Sequence, residues 1–242
     1  MTEDYSSHGI LKSVFLHLVP GLIILVVCIL FVPIVFYWGF SNDVTILLSD
    51  LVGLVPVQLA IILFAAKQQT GKFNFRSQIL YLESSKLKEY LIFIPIMAGW
   101  ALLISAILNP IEIQIRDSLF NFVPTQYILE RYDIAIFSKE KLLITGILSI
   151  VINGFIAPIM EEIYFRGYLL PRINLSPIKA ATLSAVLFSI YHFYSPWYFL
   201  SRVLMMIPLY YWVVKKKNIR FSIIAHIISN VVTSVSFLIS VI

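Results

Sequence analysis

The sequence is short of cysteine and of charge, and each shortage excludes something. Cys28 is the one cysteine among 242 residues. It sits in an apolar run, so no disulfide closes within the chain and no cysteine cluster holds a metal. Charged residues make up 13% of the chain, against roughly a quarter in soluble globular domains. No internal repeat is evident, which removes the symmetry that many carriers show. Hydrocarbon fills the space instead: 60% of the residues are hydrophobic and the mean hydropathy is +0.90. Several runs reach the roughly 20 apolar residues that cross a bilayer core. The composition describes an integral membrane protein, an all-α polytopic bundle.

Hydrophobic periodicity predicts seven membrane helices, over about 14–40, 44–66, 90–108, 142–172, 178–195, 198–214 and 220–241. An eighth, shorter segment would flip one end. The chain reads as a single transmembrane domain, 1–242, with N-terminal helices in 1–110 and polar motifs gathered in 142–242. The basic stretch 67–89 suits a short interfacial helix. The stretch 109–140, mixed in charge and rich in β-prone residues, reads as the longest loop.

The net charge of +5 raises nucleic acid as a partner. The basic residues, however, fall in short loops between apolar runs, which is the signature of topology. Thirteen Lys and Arg collect on one side and five on the other, so the N-terminus is expected in the cytoplasm. Lys215, Lys216 and Lys217 serve as an anchor in that arrangement. The acidic, polar start "MTEDYSSHG" is unlike a secretory signal.

Three sets of polar residues stand out, because charge is expensive in lipid. The first is Glu161, Glu162 and Arg166; the second is His192; the third is His226 with Asn230. Glu162 and Arg166 are four apart and can neutralise each other on one helical face. His226 and Asn230 are also four apart and could simply tie helices together, while His192 could be an interface residue among Tyr191, Phe193 and Tyr194. Glu161 is harder to explain structurally. It projects about 100° from Glu162 and needs another partner, for which a histidine from a neighbouring helix is suited. Glutamate plus histidine around one water is a general-base arrangement, and a second histidine with an amide can stabilise an oxyanion. Those are the parts for hydrolysing an acyl bond with water as nucleophile.

Depth allows the sets to meet. His192 lies roughly 21 Å and His226 roughly 9 Å from the cytoplasmic ends of their helices at 1.5 Å per residue. If the fourth helix stops at Pro171-Arg172, Glu161 lies roughly 15 Å in. That helix is then too long for an upright crossing and should tilt or bend, with Asn153, Gly154 and Pro158 as the places to do so. Asp50 could line the cavity or mark a helix end near the outer leaflet.

Order and spacing carry a family likeness. "EEIYFR" gives EExxxR at Glu161, Glu162 and Arg166; "FSIYH" gives FxxxH at Phe188 and His192; "HIISN" gives HxxxN at His226 and Asn230. The three in sequence resemble the CPBP (Abi, CAAX-protease-like) intramembrane proteases. That family includes type II CAAX prenyl endopeptidases and bacterial proteins linked to bacteriocin processing and immunity. The resemblance implies that Glu161 and His192 activate water, that His226 and Asn230 stabilise the oxyanion, that Glu162 and Arg166 shape the site, and that Phe188 packs beside His192. It also implies a membrane-associated peptide or protein as substrate and, for so short a chain, a bacterial cell membrane as location. The family is often labelled metalloprotease, and Glu161, His192 and His226 could bind zinc through three ligands. The absence of HExxH and the spread over three helices favour no metal. Two other functions remain open: a non-enzymatic immunity or peptide-binding protein, and a proton-coupled transporter.

Overall fold

A computed structural model describes residues 7–128 and 134–242. Seven helices order the described residues: α1 Ile10–Tyr37, α2 Asn42–Thr70, α3 Leu87–Leu119, α4 Lys139–Arg172, α5 Pro177–Tyr191, α6 Phe199–Lys216 and α7 Arg220–Val241. No strand is present among them. The helix ends follow local chemistry. Ser138 caps α4 by accepting the Lys141 N–H, Pro177 opens α5 at a position where its missing N–H costs nothing, and Gly71 closes α2 at φ +72°. Apolar side chains cover much of the outside, with Leu11 86% and Leu102 72% exposed, as expected where the solvent is lipid.

Six of these helices are long and apolar enough to cross a membrane, so the all-α polytopic architecture holds. The expected fifth crossing, 178–195, is shorter. α5 ends at Tyr191 after 15 residues, because Pro196 disfavours helical backbone at the residue before it and 192–195 fold into a turn. Within that turn the Ser195 N–H donates to the His192 carbonyl (3.0 Å). His192 therefore sits at a helix end and not inside a helix.

The third helix is longer than expected. α3 runs to Leu119, straight through Pro110, so the long loop predicted over 109–140 shrinks to 120–138, with 129–133 outside the described residues. Glu112 explains part of the extension. It is buried and accepts the Ser201 N–H at 2.9 Å, supplying negative charge to the first turn of α6. The expected interfacial helix in 67–89 is a single turn, Phe75–Gln78. The rest crosses the bundle end as a strap, with Leu80 N–H on the Gly167 carbonyl (2.8 Å) and the Tyr81 carbonyl taking Ile219 N–H (2.9 Å).

α4 lies at the centre, with Tyr164, Phe165, Arg166, Leu169 and Leu170 fully or almost fully buried. Its 34 residues would span about 51 Å if straight, beyond a hydrocarbon core of about 30 Å. Two π-helical stretches, Ile152–Ile156 and Glu162–Leu169, interrupt it, the first beside the anticipated Asn153–Pro158 bend. α7 and α2 pack on α4, α6 packs along α5, and α1 packs on α5. The last contact is close: a Cβ at Gly21 of α1 would lie 2.0 Å from the Tyr191 carbonyl oxygen. Glycine is required there for α1 to approach the end of α5.

Candidate active site

The first π-helical turn shows how the α4–α7 seam is built. In π register a carbonyl accepts from the fifth residue onward. For Asn153 that residue is Pro158, which has no N–H to give. Asn230 of α7 fills the vacancy, its Nδ2 donating to the Asn153 carbonyl at 2.9 Å. One turn further, Ser234 meets Ser149 (2.8 Å) and Asn153 (3.4 Å). One turn back from Asn230 on α7 is His226. Residues 226, 230 and 234 thus form one polar stripe, and its partners 149, 153 and 162 belong to α4.

At the His226 end the groups form a chain. Arg166 Nε lies 3.3 Å from Glu162 Oε2, with both side chains sealed from solvent (0% and 1% exposed). Glu162 Oε1 lies 2.9 Å from His226 Nδ1. An ionised carboxylate only accepts, so Nδ1 carries the proton and the ring is oriented by Glu162, as carboxylates orient imidazoles elsewhere. On the other side His226 Nε2 is 3.7 Å from Glu161 Oε2, too far for a direct hydrogen bond and suited to a bridging water. The Tyr191 hydroxyl donates to the remaining oxygen, Oε1. The order is Arg166, Glu162, His226, a water-sized gap, Glu161, Tyr191.

Arg166 is caged. Its guanidinium carbon is 4.0 Å from the Phe188 ring centre and 3.8 Å from that of Tyr210. Its nitrogens have no hydrogen-bond partner among the described residues. Charge and aromatic faces hold it. Phe188 also meets both imidazoles, with its centroid 4.8 Å from the His192 ring and 6.4 Å from that of His226.

The residues singled out in the sequence are thus largely gathered. Glu161, Glu162, Arg166 and His226 are in direct succession, and Phe188 packs beside His192 as expected. His192 Nδ1 lies 2.7 Å from the Phe188 carbonyl. Its ring stands 4.4 Å from that of Tyr191, so it borders Glu161 through the tyrosine. Asn230 is engaged with Asn153. Two participants escaped the sequence reading. Tyr191 was visible only as an aromatic beside His192, and Asn153 only as a bend. Asp50 is not at a helix end: α2 continues through it, it is buried, and it lies within electrostatic reach of Glu161 and Tyr191.

No group of three or more His, Cys, Asp or Glu among the described residues converges to hold a metal. Nδ1 of His226 is engaged by Glu162 and Nδ1 of His192 by a backbone carbonyl, which leaves Nε2 free on both rings, as in metal-binding histidines. No chemical step below is routed through a metal.

Comparison with known proteins agrees with the motifs. Residues 143–232, from the first turns of α4 to mid-α7, match the family model described as "Rce1-like: Type II CAAX prenyl endopeptidase Rce1-like". No curated protein and no solved structure matches the chain. Through that stretch, which holds all three motifs, the chain is similar to the CAAX-protease-like intramembrane endopeptidases.

Proposed function

We propose that this chain hydrolyses a peptide bond in a membrane-associated peptide or protein, with Glu161 as general base. The observation that carries the reading is the 3.7 Å gap between Glu161 Oε2 and His226 Nε2, backed by the buried Glu162–Arg166 pair. A water in that gap gives its proton to Glu161 as it attacks the scissile carbonyl. His192 assists at the water from the end of α5. His226 donates through Nε2 to the developing oxyanion, which requires a proton on both ring nitrogens; Glu162 stabilises that cation. Asn230 joins it by turning one N–H from the Asn153 carbonyl. Glu161 then passes its proton to the leaving amine. Tyr191 fixes the glutamate's other oxygen, so that a single lone-pair direction faces the water. The basic residues counted along the sequence support a cytoplasmic N-terminus.

The test is cleavage of membrane peptides by the purified protein in detergent. Glu161→Gln should lower turnover by about 10²–10⁴-fold, the usual range for positioned acid–base catalysis, and His226→Ala comparably. Chelator should leave wild-type turnover unchanged. Wild-type rates in both variants would refute the assignment, and loss on chelation restored by zinc would refute the metal-free step.

A further inference from the structure

His192 owes its place to a turn that is not helical, and non-helical backbone at membrane depth needs partners from elsewhere in the protein. Residues 192–195 close one contact themselves, the Ser195 N–H donating to the His192 carbonyl at 3.0 Å. That leaves the carbonyl and hydroxyl of Ser195, a residue 1% exposed, to be satisfied. Arg202, in the first turn of α6, takes both: Nη1 donates to the carbonyl at 2.9 Å and Nη2 to the hydroxyl at 2.5 Å. The Tyr198 N–H adds a longer bond to the same carbonyl, at 3.3 Å.

The arginine sits there against two costs. A cation in the first turn opposes the helix dipole, and charge is expensive in lipid. Its hydrogen bonds among the described residues both go to Ser195, and a planar fork is suited to holding two acceptors at once. The start of α6 is itself tied to α5, with the Ser189 hydroxyl on the Phe199 carbonyl at 2.8 Å, so the fork reaches the turn from a fixed base. His192 is then held at two points: its carbonyl by Ser195, and its Nδ1 by the Phe188 carbonyl at 2.7 Å. We infer that Arg202 is a positioning residue for His192, fixing through Ser195 the turn that presents the imidazole to the catalytic water. This rests on the endopeptidase reading and assigns to its site a residue outside the three sequence motifs.

The test reads the histidine with and without turnover. Full-length protein in detergent is treated with diethyl pyrocarbonate, which modifies imidazole nitrogen, and labelling of each histidine is followed by peptide mass spectrometry. Arg202→Met should raise the rate at His192 about tenfold, the equivalent of one hydrogen bond lost from the closed turn. Ser195→Ala removes one acceptor with little change of volume, so the fold should tolerate it, and it should raise the same rate by less. The rate at His226 should stay unchanged, whereas general loosening of the bundle would raise both. Turnover forms the second arm. Arg202→Met should lower kcat about tenfold with KM unchanged, and should lower it no further in a His192→Ala background, because its effect runs through that ring. Labelling of His192 equal to wild type in both variants, labelling of His226 that rises in step, or an equal kcat loss with and without His192 would each overturn the inference. Absence of cleavage in the wild type would defeat the endopeptidase reading alone, and the labelling arm would still decide whether Arg202 holds the turn.

Discussion

Removing one member of the Arg166–Glu162 pair should cost more stability than removing both. The two side chains are sealed from solvent and 3.3 Å apart, so a survivor cannot be rescued by water. Breaking such a pair from one side typically costs about 3–5 kcal/mol, while replacing both members with apolar residues of similar size is often close to neutral. Arg166→Met leaves the Glu162 carboxylate buried without its cation. Glu162→Met leaves the guanidinium between Phe188 and Tyr210 at 4.0 and 3.8 Å; a desolvated cation–π contact is worth about 2 kcal/mol, which holds that loss near 3 kcal/mol, the lower limit. The double variant should be more stable than either single variant, so it should fall short of the summed single losses by at least about 3 kcal/mol. Equilibrium unfolding in one detergent, run on all four proteins, measures that coupling, and cleavage measured in parallel should be absent from the double variant because His226 Nδ1 has lost its acceptor. Single losses that add to within about 0.5 kcal/mol would show that the two charges do not depend on each other, and the orienting chain behind His226 would fail with them.

Further outcomes are expected from single changes. Tyr191→Phe keeps the ring and removes the hydroxyl on Glu161, so kcat should drop about tenfold, about 1.4 kcal/mol on the barrier, with KM unchanged; a KM effect alone would place the tyrosine in binding. Gly21→Ala puts a methyl 2.0 Å from the Tyr191 carbonyl, so α1 or the end of α5 must shift, and both the unfolding temperature and turnover should fall; a neutral result would deny the close approach. Asn230→Ala strands the Asn153 carbonyl and should cost about 1–3 kcal/mol in detergent unfolding. His8 is held at about 4, well below its ordinary 6.5, by burial first and then by Lys12 and Arg172. Because the folded value is the lower one, its contribution is complete above pH 6.5 and lost as pH falls toward 4; thermal unfolding across that window should show a decline that His8→Phe flattens.

The parts of the site that share one helical face were legible from spacing. Glu162 with Arg166 and His226 with Asn230 are each four apart, and helical geometry alone puts each pair together. Linking these pairs needed the likeness to a family, since nothing in a sequence states which helices touch. The bend of α4 was readable because proline and glycine mark it. Asn230's partner was not, because it depends on a π turn whose vacant carbonyl appears only when the ladder is traced. The error at α3 has a different cause: the alternating isoleucines at 111, 113 and 115 and Pro110 argue against helix in water, but in lipid the backbone must satisfy itself and helix prevails. The end of α5 failed for the opposite reason, since apolar residues continue to 194 while the backbone obeys Pro196.

The widened turn at Ile152–Ile156 holds one residue more than an ordinary α turn, so losing one there would let the backbone close into α register with the later side chains still on their faces. The α turn Ala157–Glu161 has no such slack: deleting one residue from it would swing every later side chain by about 100°, carrying Glu162 away from His226. A comparable deletion in the 120–128 connection would only shorten a loop. The distance in residues between Pro158 and the paired glutamates is therefore as much a part of the active site as the glutamates themselves.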